Sequence, residues 1–388
     1  MIFLEIALLI YCVYFVSYAL FFAVGGLFYK SPKLGNPGDY KRFAILIPGY
    51  KEDAVILDTV KENSEIDYPN SHYDLVAIAD SYQKKTLDEL KKIPVKLQEV
   101  SFDKSTKVKA LQYTIERLSN EYDYVVILDA DNTMERDYLS KVNSFICQKE
   151  NKAIQTQRWP KNENNELAVL DGISESINNH IYRQGAYATG FSVSLSGSGM
   201  VFERSIFQQL ITQMESIGGF DRELEFRLLQ EGIKVVYFKE AKVFDQKTDN
   251  DQNFNNQRTR WISSQYVYLA KYFKDGIINL FQGNIVYFHS TIWRNIQLPR
   301  LINLGLLSIF TLLAVIFKEF LNYSSLIWVI LWLLNSFSMA ISIPRKFYNK
   351  ELLLSLFKLP KLFFSMFLIL FRIKGANKKF IHTEHKAV

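Results

Sequence analysis

The sequence predicts an α/β fold, a doubly wound and mostly parallel sheet, held between strongly apolar ends. Three observations carry that expectation. Apolar runs of strand length alternate with helical stretches from Phe43 to Gln148, the order that builds a parallel sheet through helical crossovers. Runs such as Tyr124-Val-Val-Ile-Leu128 are apolar throughout, as strands buried on both faces are. Several of them end in carboxylates, and open α/β sheets bind ligands at the carboxyl ends of their strands.

Residues 2–29 are apolar apart from Glu5, Ser17 and a few tyrosines, long enough to cross a bilayer core of roughly 30 Å. The first basic residue is Lys30 and no small-residue cleavage site is evident, so an uncleaved anchor is expected. Lys30, Lys33, Lys41 and Arg42 follow it, which places residues 40–285 in the cytoplasm. A Pro/Gly linker, Ser31 to Asp39, leads to a first strand at Phe43–Pro48. A helix through Ile56 and Val60 precedes a second strand, Tyr73 to Asp80, and a third is expected at Leu97–Phe102. A helix opens around Lys104–Gln112, and the strand Tyr124–Asp131 follows.

Beyond it come a helix at Tyr138–Gln148, a strand at Ala153–Gln157, a polar helical region and the glycine-punctuated Leu195–Phe202. Gly218-Gly219-Phe220-Asp221 opens a helix that stops at Gly232, and Lys234–Phe238 and Ala241–Phe244 read as two short strands. Residues 286–388 are expected to hold an interfacial helix, a membrane hairpin over 301–343, a third apolar segment at 352–371 and a basic tail. Lys358-Leu359-Pro360-Lys361 interrupts the third segment, and a full span would put the tail's Arg372, Lys374, Lys378, Lys379 and Lys386 outside. An interfacial or re-entrant element is therefore expected there.

Across 388 residues the formal charge is +6 and the basic residues are not clustered, which argues against a nucleic-acid surface. Two distant cysteines, Cys12 and Cys147, show no disulfide framework or zinc spacing and suit a reducing compartment.

The chemistry-bearing residues fall at strand ends and helix starts. Asp129 and Asp131 lie two apart after a strand, a spacing that could aim both at one hard cation, or that makes only a polar turn. Asp80 ends a second strand and reads as a ligand contact or a helix cap. Asp221 after two glycines could serve as a base or as a cap, and Lys107 as a phosphate contact or a solvated lysine. Gly197 and Gly199 imply close backbone approach or a plain turn. Gln257-Arg258-Thr259-Arg260-Trp261 sets a planar cation beside a large aromatic, fit for a diphosphate and a stacked sugar, or for a membrane surface.

Taken in order, Pro48–Glu52, Asp80, Lys107–Gln112, Asp129–Asp131, Asp221–Leu228 and Gln257–Trp261 resemble the membrane-bound glycosyltransferases of family two. Cellulose, hyaluronan, chitin-oligosaccharide and poly-N-acetylglucosamine synthases are among them. The resemblance runs from Phe43 to Trp261 and implies a GT-A, Rossmann-like domain and inverting transfer of a hexose or N-acetylhexosamine from a UDP-sugar. It implies that Asp80 holds the uridine, Asp129 the nucleotide side, and Asp131 an Mg²⁺ or Mn²⁺ ion. It further implies Asp221 as catalytic base, Lys107, Gln257, Arg260 and Trp261 as donor contacts, and Gly197, Ser198, Gly199 and Trp261 beside the acceptor.

The implied acceptor is a growing polysaccharide or lipid-linked saccharide at a cytoplasmic membrane face, of the bacterial inner membrane. Two departures stand out. Phe220 replaces the glutamate usual before the base, which makes Glu223 and Glu225 alternatives to Asp221. The membrane part is short for a polymer channel unless the chain forms a homo-oligomer, so single-sugar transfer to a lipid, as by ceramide glucosyltransferases, is the rival. A non-catalytic nucleotide-sugar-binding module would be expected to have lost some of these acids.

Overall fold

A computed structural model describes residues 2–35, 38–320 and 322–372; the tail residues Lys374, Lys378, Lys379 and Lys386 lie outside the described residues. Eight strands form one sheet: β1 (Phe43–Tyr50), β2 (Tyr73–Asp80), β3 (Lys96–Val100), β4 (Tyr124–Ile127), β5 (Thr133–Met134), β6 (Ala153–Pro160), β7 (Met200–Glu203) and β8 (Val236–Asp245). Their spatial order is β3-β2-β1-β4-β7-β6-β8-β5.

Six strands run one way, while interior β7 and the two-residue edge β5 run against them. The sheet is thus mixed. An apolar run does not encode strand direction, which is why the reversal of β7 was not readable in advance. The two strands expected at 234–244 are one, β8, whose register against β6 shifts between Thr156 and Gln157.

Side chains alternate across the sheet as a pleat requires. Phe43, Ile45 and Ile47 of β1 enter one core, and Ala44 and Leu46 enter the other. Helices cover both faces. In chain order these are α1 (Ile2–Leu27), α2 (Ile56–Asn63), α3 (Lys84–Leu90), α4 (Lys107–Arg117) and α5 (Tyr138–Gln148). Then come α6 (Glu166–Asn178), α7 (Ala186–Ala188), α8 (Arg204–Ile211), α9 (Phe220–Gln230) and α10 (Asp251–Phe281). The last are α11 (Ile285–Phe288), α12 (Arg300–Ile316), α13 (Ser325–Ser342), α14 (Lys350–Leu356) and α15 (Leu359–Leu370). A π-helical stretch, Asn179–Gly185, joins α6 to α7.

The apolar ends meet one another and the domain. Cys12, Phe15 and Val16 of α1 pack with Leu307, Ala314, Trp328 and Leu331 of α12 and α13. Lower on α1, Tyr18, Phe22 and Ala23 join the core beneath the sheet. That approach depends on Gly185, where a Cβ would stand 2.0 Å from the Phe22 carbonyl oxygen. Glu5 near the far end accepts hydrogen bonds from the Asn322 and Tyr323 backbone amides and the Asn322 side chain, fastening α1 to the α12–α13 turn.

By length and composition α1 and α13 can cross a membrane. Helix α12 is apolar but 17 residues long, and α14 and α15 form one apolar pair bent by 48°. The bend falls at the Lys358-Leu359-Pro360-Lys361 interruption, where Pro360 sits in the first turn of α15. The segment after 286, expected at an interface, is instead buried: His289, Ser290 and Thr291 are fully enclosed, and Gly276 of α10 lets Thr291 and Ile292 approach. Packing took it because α1 supplies Tyr18 and Phe22 against His289.

Candidate active site

The reversal of β7 brings its leading glycine loop to the rim where β1, β2, β4, β6 and β8 end. Gly197 and Gly199 adopt φ of +80° and +62°, which favours glycine, and the Gly199 amide donates to the Ile127 carbonyl. A Cβ on Gly199 would also lie 2.8 Å from Thr156 Oγ1 of β6. Between them, Ser198 is fully buried, and its Oγ accepts from the Asp129 amide at 3.0 Å and from Asn132 Nδ2 at 2.6 Å. The acidic turn is therefore held from below by the loop.

Strand β4 ends at Ile127, so Asp129-Ala130-Asp131 is a turn, and the two-residue strand periodicity does not orient its acids. Both nevertheless line one cavity of about 1320 Å³, together with Asp80, Lys107, Gly197, Asp221, Gln257, Arg260 and Trp261. Ser198 and Gly199 stand behind Gly197 and do not line it. Lys107, at the start of α4, forms an ion pair with Asp129, donates to the Gly197 carbonyl at 2.8 Å, and lies 5.0 Å from the Phe220 ring centroid.

The rim is strained just past β1 and β2. Lys51 and Ser81, one residue past β1 and β2, both have positive φ, 55° and 60°. Asp80 is 2% exposed, and its carboxylate accepts from Ser81 Oγ at 2.9 Å. Gly49 is needed because a Cβ there would stand 2.0 Å from the Tyr82 hydroxyl.

Asp221 opens α9 behind Gly219, whose φ is 67°. Burial pushes its carboxyl above the ordinary 3.8, against the opposing pull of Arg222 and Lys107. Its Oδ2 lies 4.0 Å from where a Gly197 Cβ would be, so it faces the glycine loop. The two alternatives are engaged elsewhere. Glu223 is enclosed by Ser216, Arg227 and Lys271 and does not line the cavity. Glu225 lines it but accepts from Arg294 at 2.7 and 2.9 Å.

Helix α10 carries Gln257, Arg258, Arg260 and Trp261 along the opposite wall. A Cβ on Gly219 would sit 2.6 Å from Ser264 Cβ, so glycine there lets the start of α9 touch α10. Burial draws the Arg260 guanidinium's pKa below its usual value, while Asp129 and Glu52 push it back up. Arg258 pairs with Asp171 and lies 4.4 Å from the Trp261 ring centroid. The Gln257 side-chain oxygen is buried and accepts no hydrogen bond among the described residues.

Sequence reasoning missed the charges beneath this wall. Arg158 at the end of β6 pairs with Asp245 at the end of β8 and donates to the Ser196 carbonyl at 3.0 Å. Its pKa is lowered by burial but raised more by Asp245, Glu175, Asp129 and Asp131, so it lies in the field of the acidic turn. Lys247 bonds the same Asp245 at 2.9 Å, and Arg183 bonds Glu175 at 2.7 Å. The only hint in sequence was that Arg158 and Asp245 also fall at strand ends.

Among the described residues no cluster of three or more histidines, cysteines or acids could hold a metal alone. The donor set fits a cation shared with a substrate, since Mg²⁺ commonly takes one or two carboxylates and phosphate oxygens.

The family model described as glycosyltransferase like family 2 matches residues 41–264, which contain every one of these strands and Gln257–Trp261. The probable glycosyltransferase YdaM of Bacillus subtilis (strain 168) is 24% identical over 251 residues, 62% of this chain and 60% of that protein. The match thus spans less than two thirds of that relative. Among solved structures, the mannosyltransferase PcManGT from Pyrobaculum calidifontis, in complex with GDP-Man and Mn²⁺, shares the fold. Its TM-score is 0.54 at 14% identity, over 87% of this chain and 96% of that one. The chain belongs to the glycosyltransferase-like family 2.

Proposed function

We propose that the protein is an inverting, metal-assisted glycosyltransferase. It moves a hexose or N-acetylhexosamine from a UDP-sugar to a saccharide or lipid-linked acceptor at the cytoplasmic face of a membrane. The observation that carries this is a half-buried carboxylate of raised pKa, Asp221, in the same cavity as Asp80, Asp129 and Asp131 at the ends of two strands. In this reading Asp80 holds the uridine and Asp129 the nucleotide side, with Lys107 moving between Asp129 and the diphosphate. Arg260 and Gln257 close over the diphosphate, and Trp261 forms a floor for the acceptor sugar.

The acceptor oxygen attacks the anomeric carbon from the face opposite the diphosphate. The carbon–oxygen bond to the diphosphate breaks, its electron pair leaves with UDP, and the hydroxyl proton passes to Asp221. Asp131, with Asp129 beside it, would hold Mg²⁺ or Mn²⁺, which when bound offsets the charge on the departing diphosphate. The GDP-Man and Mn²⁺ of the mannosyltransferase neighbour support a nucleotide sugar and a divalent cation.

The membrane setting rests on α1 and α13, each followed by basic residues, Lys30 and Lys33 after one and Arg345 and Lys346 after the other. The test uses the full chain in nanodiscs with a panel of UDP-sugars, GDP-mannose and membrane lipids, with Mg²⁺ or Mn²⁺. Asp131→Asn should cut turnover about a hundredfold or more while the protein stays folded. Undiminished turnover in that variant would overturn the metal role, and a preference for GDP-mannose would overturn the UDP donor.

A further inference from the structure

Three tyrosines of α1 play no part in the donor site, yet each hydroxyl has a partner. Tyr11, Tyr14 and Tyr18 stand three and four residues apart, so they share one face of the helix. A phenol on a membrane helix is ordinarily met at the lipid–water boundary, where its hydroxyl finds water. Here all three hydroxyls bond one stretch of the chain. Tyr18 Oη lies 3.0 Å from His289 Nε2, and Tyr14 donates to the Trp293 carbonyl. Tyr11 donates to Asn303 Oδ1 at 2.8 Å and accepts from the Leu298 amide at 2.9 Å.

That stretch begins as a π-helical turn, His289–Trp293, a wide turn of the kind that recurs at functional sites. Its hydrogen bonds run on into the next two residues. The Arg294 amide donates to the His289 carbonyl and the Asn295 amide to the Ile292 carbonyl, both at 2.9 Å. Arg294 and Asn295 line the cavity and grip the start of α9. Arg294 Nη2 donates to Glu225 Oε1 at 2.7 Å and to Oε2 at 2.9 Å, and Asn295 Oδ1 accepts from Arg222 Nη1 at 2.6 Å. Arg222 follows Asp221 directly and Glu225 lies one helical turn beyond it. Asn295 is itself 2% exposed, and its Nδ2 donates to the Ser290 carbonyl at 2.5 Å. Glu225 also accepts from the Leu195 amide at 3.4 Å, at the head of the glycine loop that Asp221 faces.

We propose that Arg294 and Asn295 are positioning residues for Asp221, and that the tyrosine face of α1 sets their place. The first helix then belongs to the framework of the active site as well as to the membrane. The inference rests on reading Asp221 as the base. A reacting group displaced by about 1 Å can lose about a hundredfold in rate, so the grip on α9 reaches the chemistry without touching a substrate.

The test follows transfer of radiolabelled sugar from the best donor of the panel by the full chain in nanodiscs, with UDP titration and thermal melts alongside. Tyr11→Phe, Tyr14→Phe and Tyr18→Phe together should lower kcat about tenfold, and Arg294→Met about tenfold to a hundredfold. Arg294→Lys, which keeps a charge for Glu225, should lose less. The UDP dissociation constant should stay within about twofold throughout. Adding Arg294→Met to the three phenylalanines should lower kcat no further than Arg294→Met alone, because residues acting along one path are not additive. In an Asp221→Asn background the same changes should alter the residual turnover by less than about twofold, whereas a merely structural role would lower it as much as before. Where Arg294→Met fails to fold, the lysine and phenylalanine variants carry the comparison. Wild-type kcat in the phenylalanine variant, or equal losses in both backgrounds, overturns this inference alone. Wild-type turnover by Asp221→Asn sinks the base reading and this inference with it.

Discussion

Ser198 is buried, yet it decides where the acidic turn points. Its hydroxyl is the acceptor for the Asp129 amide and for Asn132, so Ser198→Ala leaves two buried donors unpaired. Such a loss costs about 1–3 kcal/mol. The variant should melt earlier and need more Mg²⁺ or Mn²⁺ for half-maximal activity; an unchanged metal requirement would limit Ser198 to stability.

Asp221 gives a prediction in pH. Burial raises its folded carboxyl above 3.8, so the folded state holds that proton more tightly than the unfolded chain. The stability it contributes is full below the unfolded value and is lost as pH rises through the folded one. Activity runs the other way, because a base must be unprotonated. The acid limb of kcat/KM should therefore fall above the ordinary aspartate range, and a limb at or below 3.8 would contradict the assignment.

Among elements, the contact of α9 with α10 is the one on which the site depends. Gly219→Ala would place a Cβ within 2.6 Å of Ser264 Cβ and force a side chain into φ of 67°. The strain and overpacking together cost about 2–4 kcal/mol. Displacing Asp221 should lower kcat while the UDP dissociation constant, assigned in the proposed function to Asp80 and Asp129, stays within about twofold; titration and steady-state kinetics on one preparation separate the two.

The same scale shows what sequence could reveal. Apolar runs announced β1, β2 and β4, and the carboxylates at their ends announced the rim. The direction of β7 was not legible, because reversal depends on pairing with β4 and β6 and on the turn at Gly199. Arg158–Asp245, Arg183–Glu175 and Arg258–Asp171 were invisible for a related reason. Each joins residues that are brought together only by the fold, and no local signature says which charge meets which.

At the scale of the molecule, a carboxylate rim and the apolar side chains of α12–α15 share one cavity, with arginines between them. Local composition foretold both ends of that cavity and not their continuity. The two apolar helices α12 and α13 and the break at Lys358–Lys361 were readable, whereas burial of 289–292 against α1 required Tyr18 and Phe22 to be placed first. A membrane part this short predicts single transfer and a discrete glycolipid. Sizing radiolabelled products from protein incubated with membrane lipids should show a single band, and a ladder would mean repeated transfer.

The central claim is that Asp221 takes the acceptor proton. Sugar transfer by wild-type protein and by Asp221→Asn, in nanodiscs with Mg²⁺ or Mn²⁺ and the best donor of the panel, tests it most directly. Removal of a general base should lower kcat about 10²–10⁴-fold, with folding and UDP binding retained. Transfer by Asp221→Asn within a few-fold of wild type would contradict the account.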